Sequence, residues 1–98
     1  PYLVDGIGED FIPDSVWMEF IDDVVTVDDK SAYQTTMELA RSEGIFAGSS
    51  SGAAAAAARQ VASSLPASAL VVTLFPDSGE RYLSKLNAAW MKEHDLLD

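Results

Sequence analysis

Five consecutive residues carry the strongest chemical signal in this chain: Gly48-Ser49-Ser50-Ser51-Gly52, followed by six alanines. A run of alanine is the strongest helix former, so the segment is the start of a helix rather than a flexible linker. The first N–H groups of a helix have no partner within it and carry a partial positive charge. A serine placed there can do one of two things. Its hydroxyl can cap the helix, which is common for Ser50 or Ser51 in such a position. Alternatively, the turn can present a hydroxyl and free N–H groups to a bound ligand, a phosphate among them. A second chemical stretch is Gly6-Ile7-Gly8-Glu9, where two close glycines imply backbone that turns tightly or approaches another group. A third is Pro76-Asp77-Ser78-Gly79, a turn with a carboxylate in it.

Other chemistries are excluded or weak. There is no cysteine, so this chain has no disulfide, thiolate catalysis or cysteine metal site. The single histidine, His94, stands among charged neighbours near the last residue and does not suggest a metal or a catalytic base. Sixteen acidic residues against six basic ones give a net charge of −10, which argues against nucleic acid or an anionic membrane surface as partner. No apolar run approaches the roughly 20 residues of a membrane span. No signal peptide is visible, and the chain is expected to be cytoplasmic. It begins with Pro1 and reads as a piece of something longer.

The elements that must position these loops follow from periodicity. Val24-Val25-Thr26-Val27 is β-branched and reads as a short buried strand, with Asp28 or Asp29 capping the helix after it. Residues 30–43 place Ala32, Thr36, Leu39 and Ala40 at helical spacing, and Gly44 stops that helix. Residues 45–47 form a brief strand, 51–65 a helix stopped by Pro66, and 69–75 a strand buried on both faces of a parallel sheet. Residues 80–94 form a last helix with Leu83, Leu86, Ala89 and Trp90 on one side. A short helix over 15–21 with Val16, Trp17 and Phe20 inward precedes all of these. The alternation of strand and helix predicts an α/β fold, a partial parallel sheet flanked by helices. In such folds ligands bind beyond the carboxyl ends of the strands, where all three small-residue loops then lie.

"DGIGEDFIP", "EGIFAGSSSGAAAAAA" and "VVTLFPDSGERYLSKL", in this order and spacing, resemble the C-terminal part of the catalytic domain of the cystathionine β-synthase and cysteine synthase family. These are pyridoxal-phosphate enzymes of the tryptophan-synthase-β type, fold type II. The resemblance spans nearly all of residues 1–98, as one part of a catalytic domain. It implies the cofactor pyridoxal 5'-phosphate, with the Ser50 hydroxyl donating to the pyridine nitrogen as the central serine of Gly-X-Ser-X-Gly. Gly48 opens that loop, and Gly6 and Gly8 belong to a loop closing over the cleft. A neutral hydroxyl beside a positive helix start keeps the nitrogen unprotonated, which favours loss of a β-substituent over transamination.

The resemblance also implies what lies elsewhere. The cofactor-linking lysine, the phosphate loop and the substrate-carboxylate loop belong to the N-terminal part of these enzymes, and Lys30, Lys85 and Lys92 match none of those positions. No catalytic residue is therefore expected within these residues, and the segment alone is expected to be inactive. Its partners are the remainder of the catalytic domain, a second copy in a homodimeric parent, and small amino-acid substrates. Asp77 and the pair Trp90-Met91 lean towards cystathionine β-synthase, joining serine and homocysteine. "GERYLS" leans towards cysteine synthase, joining O-acetylserine and sulfide. A serine or threonine dehydratase of the same fold, or a non-enzymatic α/β binding module, are the other readings.

Overall fold

The computed structural model describes residues 2–8 and 10–98; Pro1 and Glu9 lie outside the described residues. Its frame is a pair of helices. Helix α1 (Asp29–Glu43) matches the predicted helix to within one residue. It ends where Gly44 turns left-handed (φ 67°), with the Ile45 N–H closing back on the Leu39 carbonyl at 3.2 Å. Helix α2 (Ser49–Ala62) starts two residues earlier than predicted and stops three residues earlier. The chain then turns through Ser63 and Ser64, whose hydroxyls donate to the carbonyls of Gln60 and Val61. Those side-chain bonds compete with the helix ladder, which is why the end comes before Pro66.

The two helices approach closely because one of them offers no side chain at the crossing. A Cβ added at Gly52 would collide with Thr36 Oγ1, with the Ala32 carbonyl and with the Thr36 amide nitrogen. Ala32, Thr36 and Gly52 are buried at this contact, and Ser49, Ser51 and Ala53 of the first turns of α2 are buried as well. Thr36 satisfies its hydroxyl on the Ala32 carbonyl at 2.8 Å. The apolar core grows from this seam: Val4, Ala32, Tyr33, Ala53, Leu86, Met91 and Leu96 form one cluster. Tyr33 is fully buried, keeps its hydroxyl bonded to the Leu3 carbonyl at 2.8 Å, and ionises above its ordinary 10.0 because burial disfavours the phenolate.

Three expectations fail in this structure. First, the parallel sheet is not formed. Residues 24–27 and 69–75 form no strand and pair with nothing among the described residues, and the one ladder contact there, Ala47 with Ser78, is antiparallel. A strand exists only through its neighbours, and here none runs alongside. Leu70, Val72 and Leu74, expected inside, are 88%, 82% and 74% exposed. The Cα radius of gyration, 14.2 Å, exceeds the roughly 13 Å of a self-contained domain of this length, as open segments require. Second, the last helix is broken in two. A 3-10 turn covers Gly79–Tyr82, and α3 (Ala88–Glu93) begins only after Asn87. The Asn87 side chain caps α3 by accepting from the Trp90 N–H at 2.9 Å, while its amide donates to the carbonyls of Leu83 and Ser84. Asparagine competes with the helical backbone in this way. Leu86 and Met91 are buried, whereas Leu83 and Ala89 are exposed. Third, the segment at 15–21 is only a 3-10 turn, Met18–Phe20, with Trp17 and Phe20 stacked on each other at 5.7 Å and both exposed.

Candidate functional site

The site is built around the first turn of α2. Its N-cap is Gly48, which has no side chain, so neither Ser50 nor Ser51 caps the helix as the sequence allowed. The three serines fall on different sides of the helix because successive residues turn by about 100°. Ser49 and Ser51 are buried, at 1% and 0% exposure. Ser51 Oγ donates to the Asp77 carbonyl at 3.5 Å. Ser50 alone faces a cavity of about 520 Å³, and its hydroxyl makes no hydrogen bond among the described residues.

The cavity walls come from four stretches. Tyr2, Val4, Ile7 and Gly8 form one side and Val24 to Val27 a second. Asp29 closes one end, and Ala53, Ala54 and Ala57 of α2 form the floor. The alanines give this helix a bare face, which leaves room beside Ser50. Alternation along the β-branched stretch brings Val25 and Val27 inward to half-burial and leaves Val24 exposed at 73%. Of the two loop glycines, Gly8 lines the cavity and Gly6 does not. Gly8 has φ +78°, and a Cβ there would press on the Tyr2 ring at 3.2 Å. Gly6 has φ +79° with open space around it, so its glycine is required by the turn. Asp29 was expected as a possible cap. Its carboxylate instead accepts the N–H groups of Leu3 and Val4 at 3.2 and 3.3 Å, and thereby fixes the stem of the glycine loop. Asp28 occupies the N-cap of α1 without making a side-chain bond. The sequence reading missed Asp29 and Tyr2 as cavity residues. An acid in the first turn of a helix gave no hint that its oxygen would reach residues 25 and 26 positions away.

Gly48 lies behind the cavity. Its N–H donates to the Asp77 carbonyl at 3.3 Å, and its Cα rests against the side chains of Asp77 and Tyr82. The Tyr82 hydroxyl donates to Asp77 Oδ2 at 2.5 Å, a bond to the neutral phenol that raises Tyr82 above its ordinary 10.0. The serine turn thus touches the 76–79 loop on one side and shares the cavity with Ile7 and Gly8 on the other, but no residue of 76–79 lines that cavity. Trp90 also lies elsewhere, packed on Tyr33 at 5.6 Å and stacked on His94 at 4.0 Å. Lys85 pairs with Asp5 at 3.0 Å, and Lys30 with Asp98 at 2.9 Å, so both sit in surface ion pairs. Among the described residues no cluster could hold a metal ion, and no helix is long and apolar enough to cross a membrane.

The arrangement fits a planar aromatic cofactor at Ser50. A partnerless hydroxyl at a positive helix start faces a cavity that is floored by alanine and bordered by glycine. Residues 1–77 match the model of the pyridoxal-phosphate dependent enzyme family, to which the chain belongs. It is 46% identical over 84 residues to an O-acetylserine dependent cystathionine beta-synthase of Bacillus subtilis, across 86% of this chain and 27% of that protein. It is 44% identical over 85 residues to a cysteine synthase of Helicobacter pylori, across 87% of this chain and 28% of that one. An O-ureido-L-serine synthase of Streptomyces lavendulae is 42% identical over 84 residues. A crystal structure of O-ureido-L-serine synthase superposes with a TM-score of 0.81, covering 86% of this chain and 27% of that chain. The chain therefore spans about a quarter of the length of these relatives. Its backbone follows the path of a fold type II enzyme even where the sheet hydrogen bonds are not made.

Proposed function

We propose that this chain is the C-terminal part of the catalytic domain of a pyridoxal-phosphate β-replacement enzyme, and that Ser50 receives the pyridine nitrogen. The observation that carries the reading is the separation of the three serines. Ser49 and Ser51 are buried, while Ser50 presents an unpartnered hydroxyl to the cavity. The cofactor, when bound, supplies the electron sink that lets a β-substituent leave an amino acid. The chain's own residues do the rest of the work on this side. Ser50 donates a neutral hydrogen bond, the α2 start disfavours a proton on the nitrogen, and Ala53, Ala54 and Ala57 leave space for the ring. The remainder of the domain brings the cofactor-linking lysine and the strands that pair with 24–27 and 69–75. The parent acts as a homodimer on small amino acids.

Within this class we favour a cystathionine-forming enzyme that uses homocysteine and an O-activated serine. Loss of hydroxide from serine itself needs strong acid assistance. Among the described residues lining the cavity the one carboxylate is Asp29, and it is engaged with two main-chain N–H groups. Asp77, which leaned towards free serine on resemblance, is held by Tyr82 outside the lining. The Bacillus subtilis relative, by its name, is O-acetylserine dependent. The test is kcat/KM of the full-length protein for serine with homocysteine, O-acetylserine with homocysteine, and O-acetylserine with sulfide. Each tenfold in that ratio is about 1.4 kcal/mol of transition-state preference. A tenfold lead for sulfide would make it a cysteine synthase. A full-length protein that takes up no pyridoxal phosphate would be a binding module instead. Ser50→Ala should lower kcat by about fivefold and leave the fold intact, since one neutral hydrogen bond is worth about 1 kcal/mol.

A further inference from the structure

The loop at 76–79 grips the serine turn on both sides of Ser50 and leaves Ser50 itself untouched. The Gly48 N–H and the Ser51 hydroxyl both donate to the Asp77 carbonyl, at 3.3 and 3.5 Å. Ala47 bridges to Ser78, and the Gly79 N–H donates to the Phe46 carbonyl at 3.1 Å. Beneath this main-chain clasp lies a side-chain pair. Asp77 Oδ2 takes the Tyr82 hydroxyl at 2.5 Å. Asp77 Oδ1 is buried with no hydrogen-bond partner among the described residues, and it abuts Gly48 where a Cβ would stand. Tyr82 Cε2 lies 2.8 Å from the same point. A buried carboxylate oxygen without a partner is costly and calls for a reason.

We propose that Asp77 and Tyr82 act as one positioning unit, wedged against Gly48, which fixes the first turn of α2 so that the Ser50 hydroxyl points into the cavity. The unit works through Gly48 and Ser51 and touches neither substrate nor cofactor. This rests on the reading of Ser50 as the cofactor-facing residue. It gives Asp77 a task different from that of an acid in the cleft. It also explains why Gly48 carries no side chain: any Cβ would displace the pair.

The test uses the full-length protein carrying Asp77→Leu, Tyr82→Phe, both together, or Asp77→Asn. Amide hydrogen exchange at residues 48–52 is measured before cofactor is added. The visible absorbance and fluorescence of bound pyridoxal phosphate, and kcat and KM, are measured after. Each of the first two variants should speed exchange of the turn by about tenfold, as expected when a local closing contact is lost. Each should lower kcat by about tenfold with KM changed less than about twofold, the signature of misplacement in the reacting complex. The double variant should be no worse than the worse single one, because the two side chains work as a unit. Asp77→Asn keeps an acceptor for Tyr82 and should restore exchange, spectrum and kcat. Additive losses, unchanged exchange, or an Asp77→Asn variant as damaged as Asp77→Leu with a displaced pH profile would overturn the proposal. Tyr82→Phe removes a single oxygen, so it remains informative if Asp77→Leu fails to fold. A wild-type protein that takes up no cofactor defeats the reading of Ser50 and this proposal with it. Normal cofactor uptake together with unaltered Tyr82→Phe exchange and spectrum defeats the positioning unit alone.

Discussion

The α1–α2 pair and the stretch 69–75 use the same kinds of small and apolar residues, and they end in opposite environments. In the helix pair, Ala32 and Tyr33 are fully buried and Gly52 sits against the opposing backbone. In the stretch 69–75, Leu70 and Val72 are more than four-fifths exposed. The difference is one of backbone accounting. A helix satisfies its N–H and C=O groups within itself and needs a partner only for its side chains. An extended segment needs a neighbour for both. The helical half of the site is therefore formed within these residues, while the segments at 24–27 and 69–75 have no strand beside them among the described residues.

The comparison can be broken most forcefully at Gly52. Gly52→Val should destabilise the full-length protein by about 3 kcal/mol in chemical denaturation, because overpacking at a tight crossing outweighs the gain in helix propensity. A neutral result would mean that the helices are not seated as described. Met91→Ala, in the cluster beside α1, should cost about 2 kcal/mol by the same measurement, as for other fully buried large side chains. Val72→Thr sharpens the other side. If strands from the rest of the protein cover this segment, it should cost about 1 kcal/mol, and if the segment stays open, less than about 0.5 kcal/mol.

A smaller effect is expected from pH. Tyr33 and Tyr82 both ionise above 10.0, so the stability they add is present below that value and is lost as pH rises through their folded-state ionisation. An ultraviolet titration of the phenolates should show Tyr82→Phe removing one late step. The smallest effect should come from Arg59→Ala. It deletes an exposed pair with Glu38 at 3.0 Å between the two helices, and should cost about 0.3 kcal/mol, screened further by salt.

What could be read from sequence follows the same division. The bounds of α1 were legible because Gly44 and the helical spacing are local signals. Which of the three serines faces the cavity was not legible from the loop alone, where a cap at Ser50 or Ser51 read equally well; the resemblance singled out Ser50, and the helical phase turns it towards the cavity. The break at Asn87 was less visible, since Leu83, Leu86 and Trp90 keep helical spacing across it. The β-branched runs at 24–27 and 69–75 pointed to strands that do not form among the described residues, because composition speaks for one segment and pairing is a property of two. Asp29 could not be assigned to the cavity because its partners are remote in the chain.

That remote bond has a consequence in time. The contact between α1 and α2 joins neighbouring stretches of the chain and closes a short loop. The bonds from Leu3 and Val4 to Asp29 close one of about 25 residues, at a larger entropic cost. The helix pair is therefore expected to form first and the glycine-loop wall last. Asp29→Asn should leave the early kinetic phase unchanged and slow only the phase in which the Tyr2–Gly8 wall docks. In the course of folding, the cavity is a late arrival.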